Sequence, residues 1–159
     1  MATHFSTGVV AKMFGKNGTD TGADGLRGIF TNGTIKAFTG AQPANADDAP
    51  SGTYLGNITL NGAVFTPGTA TNGVNFGAPV GRTVSKSASE TWQFKGAAAG
   101  TIGWIRFQAN AVDNDSSSTS LNRIDMSVGI TSGDIHFSTV TSAVNTIITL
   151  DTFTVTGGA

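Results

Sequence analysis

Hydrophobic and polar residues alternate most clearly in the stretch Arg123-Ile124-Asp125-Met126-Ser127-Val128-Gly129-Ile130, where Ile124, Met126, Val128 and Ile130 take every second position. Successive side chains of an extended chain point to opposite faces. The pattern therefore predicts a half-buried strand with Asp125, Ser127 and Gly129 on a wet face. The stretch Gly100–Phe107 differs, with Ile102 and Trp104 on one face and Ile105 and Phe107 on the other. Such a strand is covered on both sides, or its second face meets a partner. Gly103 leaves room beside Trp104 for a ring or a neighbouring backbone. A polar loop, Asp113–Asn122, joins the two stretches, and a Thr-Ser-Gly-Asp turn (131–134) leads on to Ile135-His136-Phe137.

Further short strands are predicted at Thr34–Thr39, Thr53–Leu60, Ala63–Thr66, Val74–Phe76, Thr83–Lys86 and Glu90–Lys95. Asn61-Gly62 suits a two-residue hairpin turn into Ala63–Thr66. Gly96–Gly100 suits a hairpin from Trp92-Gln93-Phe94 into the central strand. Gly40–Gly52, with Pro43 and Pro50, reads as an irregular surface loop. Thr146–Thr156 changes face between Ile148/Leu150 and Phe153/Val155, as a bulge near Asp151-Thr152 would allow.

Two short helices are predicted before the strands. Ser6–Phe14 is capped by Ser6 or Thr7, and Gly25–Thr31 is capped by Asp24 and stopped by Asn32-Gly33. Each falls short of the about 12 residues an isolated helix needs, so packing must hold both. Short strands with turn signals at roughly 8–12-residue spacing predict an all-β chain: a β-sandwich, jelly-roll or Ig-like, with a short helical N-terminal segment. Residues 1–33 are expected to form an N-terminal arm and residues 34–159 the body of a single domain.

Composition narrows the function more than the fold. Charged residues make up 12% of the 159, half the usual share of about 25%. The formal net charge is −1 and the nine Lys and Arg are scattered, so nucleic acid is not an expected partner. Cys is absent, which excludes disulfides and zinc–thiolate sites. No apolar run nears the ~20 residues that span a bilayer, and the N-terminus lacks a signal-peptide pattern, so a soluble cytoplasmic product and no membrane partner are expected.

Candidate chemistry is sparse. His136 lies opposite Ile135 and Phe137 on a strand and reads as solvent-facing; His4 lies in the N-terminal tail. Asp113-Asn114-Asp115 is the one cluster suited to a hard cation, but it lacks the Gly and distal Glu of a calcium loop, and a polar loop between strands is the plainer reading. Trp92, Trp104 and Tyr54 could be sugar platforms, yet their apolar neighbours place them in the core first. No nucleophile elbow, phosphate loop or dinucleotide fingerprint occurs. No enzyme activity, cofactor or bound metal is expected.

Three stretches together resemble a known family. They are Ser6-Thr7-Gly8 with Leu26-Arg27 and Gly33–Ala44; Asp47–Gly56, reading Asp-Asp-Ala-Pro-Ser-Gly-Thr-Tyr-Leu-Gly; and Gly100–Phe107 with Ser127–Ile135. The chain is similar in these to small structural proteins of tailed-bacteriophage virions. The resemblance covers most of the chain from Ser6 onward and carries turns and packing, not an active site. Thr19–Ala23 departs from it as a longer loop.

The resemblance implies a virion protein made in the host cytoplasm, with a role as a capsid decoration (cement) protein on the outside of the head. Its partners would be the major capsid protein and further copies of itself, a trimer suiting the lattice. A neck or tail accessory protein and a carbohydrate-binding β-sandwich on a tail fibre are the alternatives. Within this reading residues 1–31 form much of the contact, through the apolar Phe5, Val9, Val10, Met13 and Phe14.

Overall fold

A computed structural model describes residues 3–9, 25–81 and 83–156. The alternating stretches pair into one large sheet. Its strands are β1 (His4–Phe5), β2 (Thr34–Phe38), β3 (Tyr54–Leu60), β5 (Trp92–Gly96), β7 (Trp104–Gln108), β8 (Arg123–Gly129), β9 (Ile135–His136) and β11 (Ile147–Leu150). The spatial order is β1-β8-β7-β2-β3-β5-β11, antiparallel throughout, with β9 added parallel to β8. Two further pairs, β4 (Thr83–Ser85) with β12 (Thr154–Thr156) and β6 (Gly100–Thr101) with β10 (Thr141–Ser142), lie outside it. The all-β expectation holds; among the described residues, helix is confined to residues 7–9 and to α1 (Gly25–Ile29), before β2.

The pairing register gives the sheet one apolar and one polar face. Phe5, Ile124, Phe107, Ile35, Ile58, Phe94 and Ile148 form an unbroken apolar row across seven strands. Phe76 and Phe153 lie across from that row, with ring centroids 5.4 and 5.8 Å from Phe107. Val84 of β4 and Val155 of β12 belong to the same core, so the β4–β12 pair and the Val74–Phe76 segment make a smaller layer opposite the sheet. Phe30, just after α1, lies against Phe107 at 4.7 Å.

Several sequence expectations change in detail. Thr146–Thr156 is two strands in different sheets rather than one bulged strand; the change of face marks the crossing from the large sheet to the opposing layer. Asn61 and Gly62 do turn the chain, both at positive φ, but Ala63–Thr66 forms no strand. Both edges of β3 are already taken by β2 and β5. Gly96–Gly100 is no hairpin either, since β2 and β3 lie between β5 and β7. Instead Ala97 and Ala98 donate to Leu55 O. Gly103 has its predicted crowding: a Cβ there would sit 2.0 Å from Gly40 O.

The N-terminal segment departs most from the expected arm. β1 is hydrogen-bonded to β8, with Phe5 opposite Ile124. Ser6 caps residues 7–9, which are helical, by accepting from Val9 N–H at 3.2 Å. The same hydroxyl donates to Leu121 O at 2.8 Å and accepts from Arg123 N–H at 3.0 Å. Val9 is wholly buried in this chain's own core and Phe5 packs against that core. Val9 is thus not exposed for docking, whereas Phe5 is half-buried; Val10, Met13 and Phe14 lie outside the described residues. Asp24, the expected cap of α1, lies outside them too.

Ser6→Ala should therefore destabilise the fold by about 1–3 kcal/mol, since it strands two buried amides and a half-buried carbonyl. Urea unfolding measures this directly. An unchanged midpoint would mean that the N-terminal segment is not built into the body.

Candidate functional site

The polar face carries the other half of the alternation. His4, Asp125, Arg106, Lys36, Asn57, Lys95 and Ile147 form a row across the same seven strands. At the β8–β7–β2 end this face is dry, contrary to the wet face expected of β8. Arg106, Asp125 and Arg123 are each 0% exposed and Ser127 is 1%. The cover comes from residues 40–52 and 113–122. Ser118 N–H donates to Asp47 O at 2.8 Å, and Ala49 N–H to Ser117 Oγ at 3.1 Å, so the two loops hold each other over the sheet. Thr7 N–H adds a third tie, to Asp47 Oδ1 at 2.8 Å.

Beneath the loops Lys36, Arg106 and Arg123 each have a carboxylate partner, and Arg123 Nη1 is buried with no hydrogen bond among the described residues. Arg106 donates from Nε and Nη2 to the two oxygens of Asp125, both at 2.7 Å, and from Nη1 to Asp48 O at 2.9 Å. Its guanidinium lies 5.4 Å from the centre of the Trp104 ring, which stacks on Phe38 at 4.6 Å. Arg123 donates to both oxygens of Asp113, at 2.7 and 2.5 Å, and to Ser116 O at 2.9 Å. Lys36 reaches Asp115 at 2.6 Å, where Gln108 Nε2 also donates at 2.8 Å. His4 Nδ1 lies 3.1 Å from Gln42 Nε2 and 3.2 Å from Pro43 O at the margin of this cluster.

This arrangement reassigns Asp113 and Asp115. Their carboxylates hold Arg123 on one side and Lys36 with Gln108 on the other, so the loop is a clamp built from ion pairs. Among the described residues no group of three or more His, Cys, Asp or Glu side chains gathers as a metal site. Burial pulls the Asp113 carboxyl upward, but the Arg123 hydrogen bonds, the Asp115 N–H and the charges of Arg123 and Lys36 outweigh it and hold the group below the ordinary carboxylate range. Burial raises Asp125 above that range, and the bonds and charge of Arg106 offset only part of it.

The remaining sequence candidates fall into place around these features. Trp92 is in the core, with its indole N–H donating to Glu90 Oε2 at 2.8 Å. Trp104 lies under the 40–52 loop and donates to Ser51 O at 3.3 Å. Neither is a platform. His136 is exposed on β9. Tyr54 alone of the three aromatics reaches the surface, at 40% exposure. Its hydroxyl donates to Asn57 at 2.9 Å, and burial, then the charge of Asp115, raises its pKa.

The polar face is open at the β3–β5–β11 end. A depression of about 360 Å³ there is lined by Tyr54, Asn57, Val64, Phe65, Lys95, Val144 and Asn145 among others. Val64 and Val144 stand out into solvent beside it, as does Ile147. Sequence reasoning passed over this patch because its members come from four separate segments. Comparison with known proteins adds no assignment: no family model, curated protein or solved structure matches the chain. No helix among the described residues is long and apolar enough to cross a membrane.

Two outcomes follow from the covered cluster. Removing one partner, as in Asp125→Asn or Arg106→Met, should cost about 3–5 kcal/mol, and joint replacement of both by apolar residues should recover most of it. Equilibrium denaturation of the two single variants and the double variant decides this; additive losses would contradict it. Asp113 titrates below its unfolded value, so its contribution is complete above about pH 3.9 and fades as pH falls through the folded value. The stability gap between the wild type and Asp113→Asn should shrink on acidification in that range, and a constant gap would exclude the clamp.

Proposed function

We propose that this chain is a structural component of a tailed-bacteriophage virion, acting as a decoration (cement) protein that binds the major capsid protein on the outside of the head. The observation that supports the reading is the division of the polar face. One half is sealed by loops and ion pairs into a rigid unit. The other presents Tyr54, Val64, Val144 and Ile147 on an open surface, and contiguous exposed apolar side chains mark interaction sites. A cement protein needs stiffness and a docking surface, and nothing more chemical. The near-neutral charge also suits dense repetition, because crowded copies repel one another little.

Quantitative mass spectrometry of purified virions tests the proposal. The chain should be present at a copy number commensurate with the major capsid protein, and Val64→Asp with Val144→Asp should release it from heads without lowering its melting temperature. Absence from intact particles would refute the virion role, and a low copy number confined to the portal vertex would move it to the neck. A second reading, sugar binding on a fibre, is favoured by the exposed ring of Tyr54 beside Asn57, Lys95 and Asn145. Calorimetric titration with host-surface glycans, lost in Tyr54→Ala, would select it.

A further inference from the structure

Asparagine is among the chemically labile side chains, and most so before glycine. The glycine nitrogen can attack the asparagine side-chain carbonyl, and glycine has no Cβ to obstruct the approach. Four such pairs occur in the chain: Asn17-Gly18, Asn32-Gly33, Asn61-Gly62 and Asn72-Gly73. The first lies outside the described residues. The other three start from the same backbone, with φ of 52° at Asn32, 54° at Asn61 and 62° at Asn72. Conformation therefore does not separate them; what surrounds each pair does.

Two of the three are locked. Gly33 N–H donates to Phe30 O at 3.1 Å and to Val74 O at 3.2 Å, and the Asn32 side chain accepts from Asn75 Nδ2 at 3.4 Å. Asn72 Nδ2 donates to Val64 O at 2.8 Å, and Asn72 O accepts from Leu60 N–H at 3.0 Å. A Cβ on Gly73 would lie 2.3 Å from Asn32 O, and one on Gly33 2.6 Å from Gln108 O, so neither peptide has room to swing. Asn61-Gly62 is held by none of these. Asn61 is exposed, and its side-chain amide makes no hydrogen bond among the described residues. Gly62 N–H reaches only Thr59 O, at 3.4 Å, and the nearest atom to a Cβ there is Gln93 Cβ at 3.6 Å. Asn61 N–H bonds Thr91 O at 2.8 Å and Ala63 N–H bonds Leu60 O at 3.1 Å. Those bonds hold the peptides on either side and leave the one between Asn61 and Gly62 the freest of the three.

We infer that Asn61 is a self-modification site, at which the folded chain converts its own side chain with water as the only other reactant. Gly62 N bonds to Asn61 Cγ and gives up its proton. Asn61 Nδ2 takes a proton and leaves as ammonia, which closes a succinimide ring. Water then opens the ring at either carbonyl, leaving an aspartate or an isoaspartate at this position. Both products carry a carboxylate where a neutral amide stood, in a chain whose formal net charge is −1. The isoaspartate also routes the main chain through the former side-chain carbon, directly after β3. Gly62 lines the same depression as Lys95, so the new charge arrives at the rim of the open end of the polar face. An old molecule thus differs from a new one in the half that the loops leave uncovered.

The inference is independent of the virion reading, and its test uses the full chain alone. The chain is held folded at mildly alkaline pH and, in parallel, unfolded in urea, and both products are followed by peptide mapping with mass spectrometry. In urea Asn32, Asn61 and Asn72 should convert at like rates. In the folded chain Asn61 should convert about a hundredfold or more faster than Asn32 and Asn72, because those two wait for their segments to open. Asn61→Gly keeps the turn, which accepts Gly-Gly as it does Asn-Gly, and should abolish conversion in that peptide with little effect on the melting temperature. No conversion at Asn61 in the folded chain, or equal slowing of all three on folding, overturns the inference. So does conversion led by Asn32 or Asn72, and so does a mass gain in that peptide that survives Asn61→Gly.

Discussion

The paired hydrogen bonds between Arg106 and Asp125 set the conditions for the rest of the structure. Two charges with no exposure are tolerated only where each has nearly all its hydrogen-bonding capacity met. Asp125 fills two donor positions of Arg106, and Asp48 O fills a third. That third bond requires the 40–52 loop to fold down over the sheet. The 113–122 loop follows, because Ser117 and Ser118 tie it to Ala49 and Asp47. The same loop carries the Asp113 and Asp115 carboxylates to Arg123 and Lys36. Ionic chemistry on strands β7 and β8 thus decides where two long irregular segments lie.

The consequence is a molecule with two unlike halves. At the β8–β7–β2 end both faces of the sheet are packed, one by hydrocarbon and the other by ion pairs. At the β3–β5–β11 end the core face is packed and the polar face is largely open, with Thr59 its buried exception. The exposed apolar side chains and β11, which among the described residues pairs only with β5, both fall in that second half. On the function proposed above, contact with neighbours falls where the sheet is least enclosed, and the enclosed half supplies rigidity. A part whose task is to hold a fixed shape against neighbours is served by that separation, since local opening in the docking half need not spread through the clamp.

Much of the fold is legible in the residues. Alternation located β8, short apolar runs between turn signals located β2, β3, β5 and β7, and the two-sided burial of Trp104–Gln108 follows from apolar residues at both parities. Loop-covered polarity was not legible. Asp125 and Ser127 look like a solvent face because period-two patterns report side-chain chemistry, and a buried carboxylate has the same chemistry as an exposed one. Its partner Arg106 lies nineteen positions away in sequence, and only the register of β7 against β8 brings them together. The ion-pairing role of Asp113 and Asp115 within their polar loop was not legible for the same reason: the cations they serve come from β8 and β2. Thr146–Thr156 read as one strand because both of its halves face the same core, from opposite layers.

The central claim is that the covered half opens only when the whole molecule unfolds. Native-state hydrogen exchange resolved by residue tests it most directly, on the amides of Arg123–Ser127 in β8 and on Ser118 in the overlying loop. The account predicts that all of them exchange with the free energy of global unfolding. Rapid exchange at Ser118 together with sub-global opening of β8 would contradict it, because the loops would then be a loose covering and not a clamp.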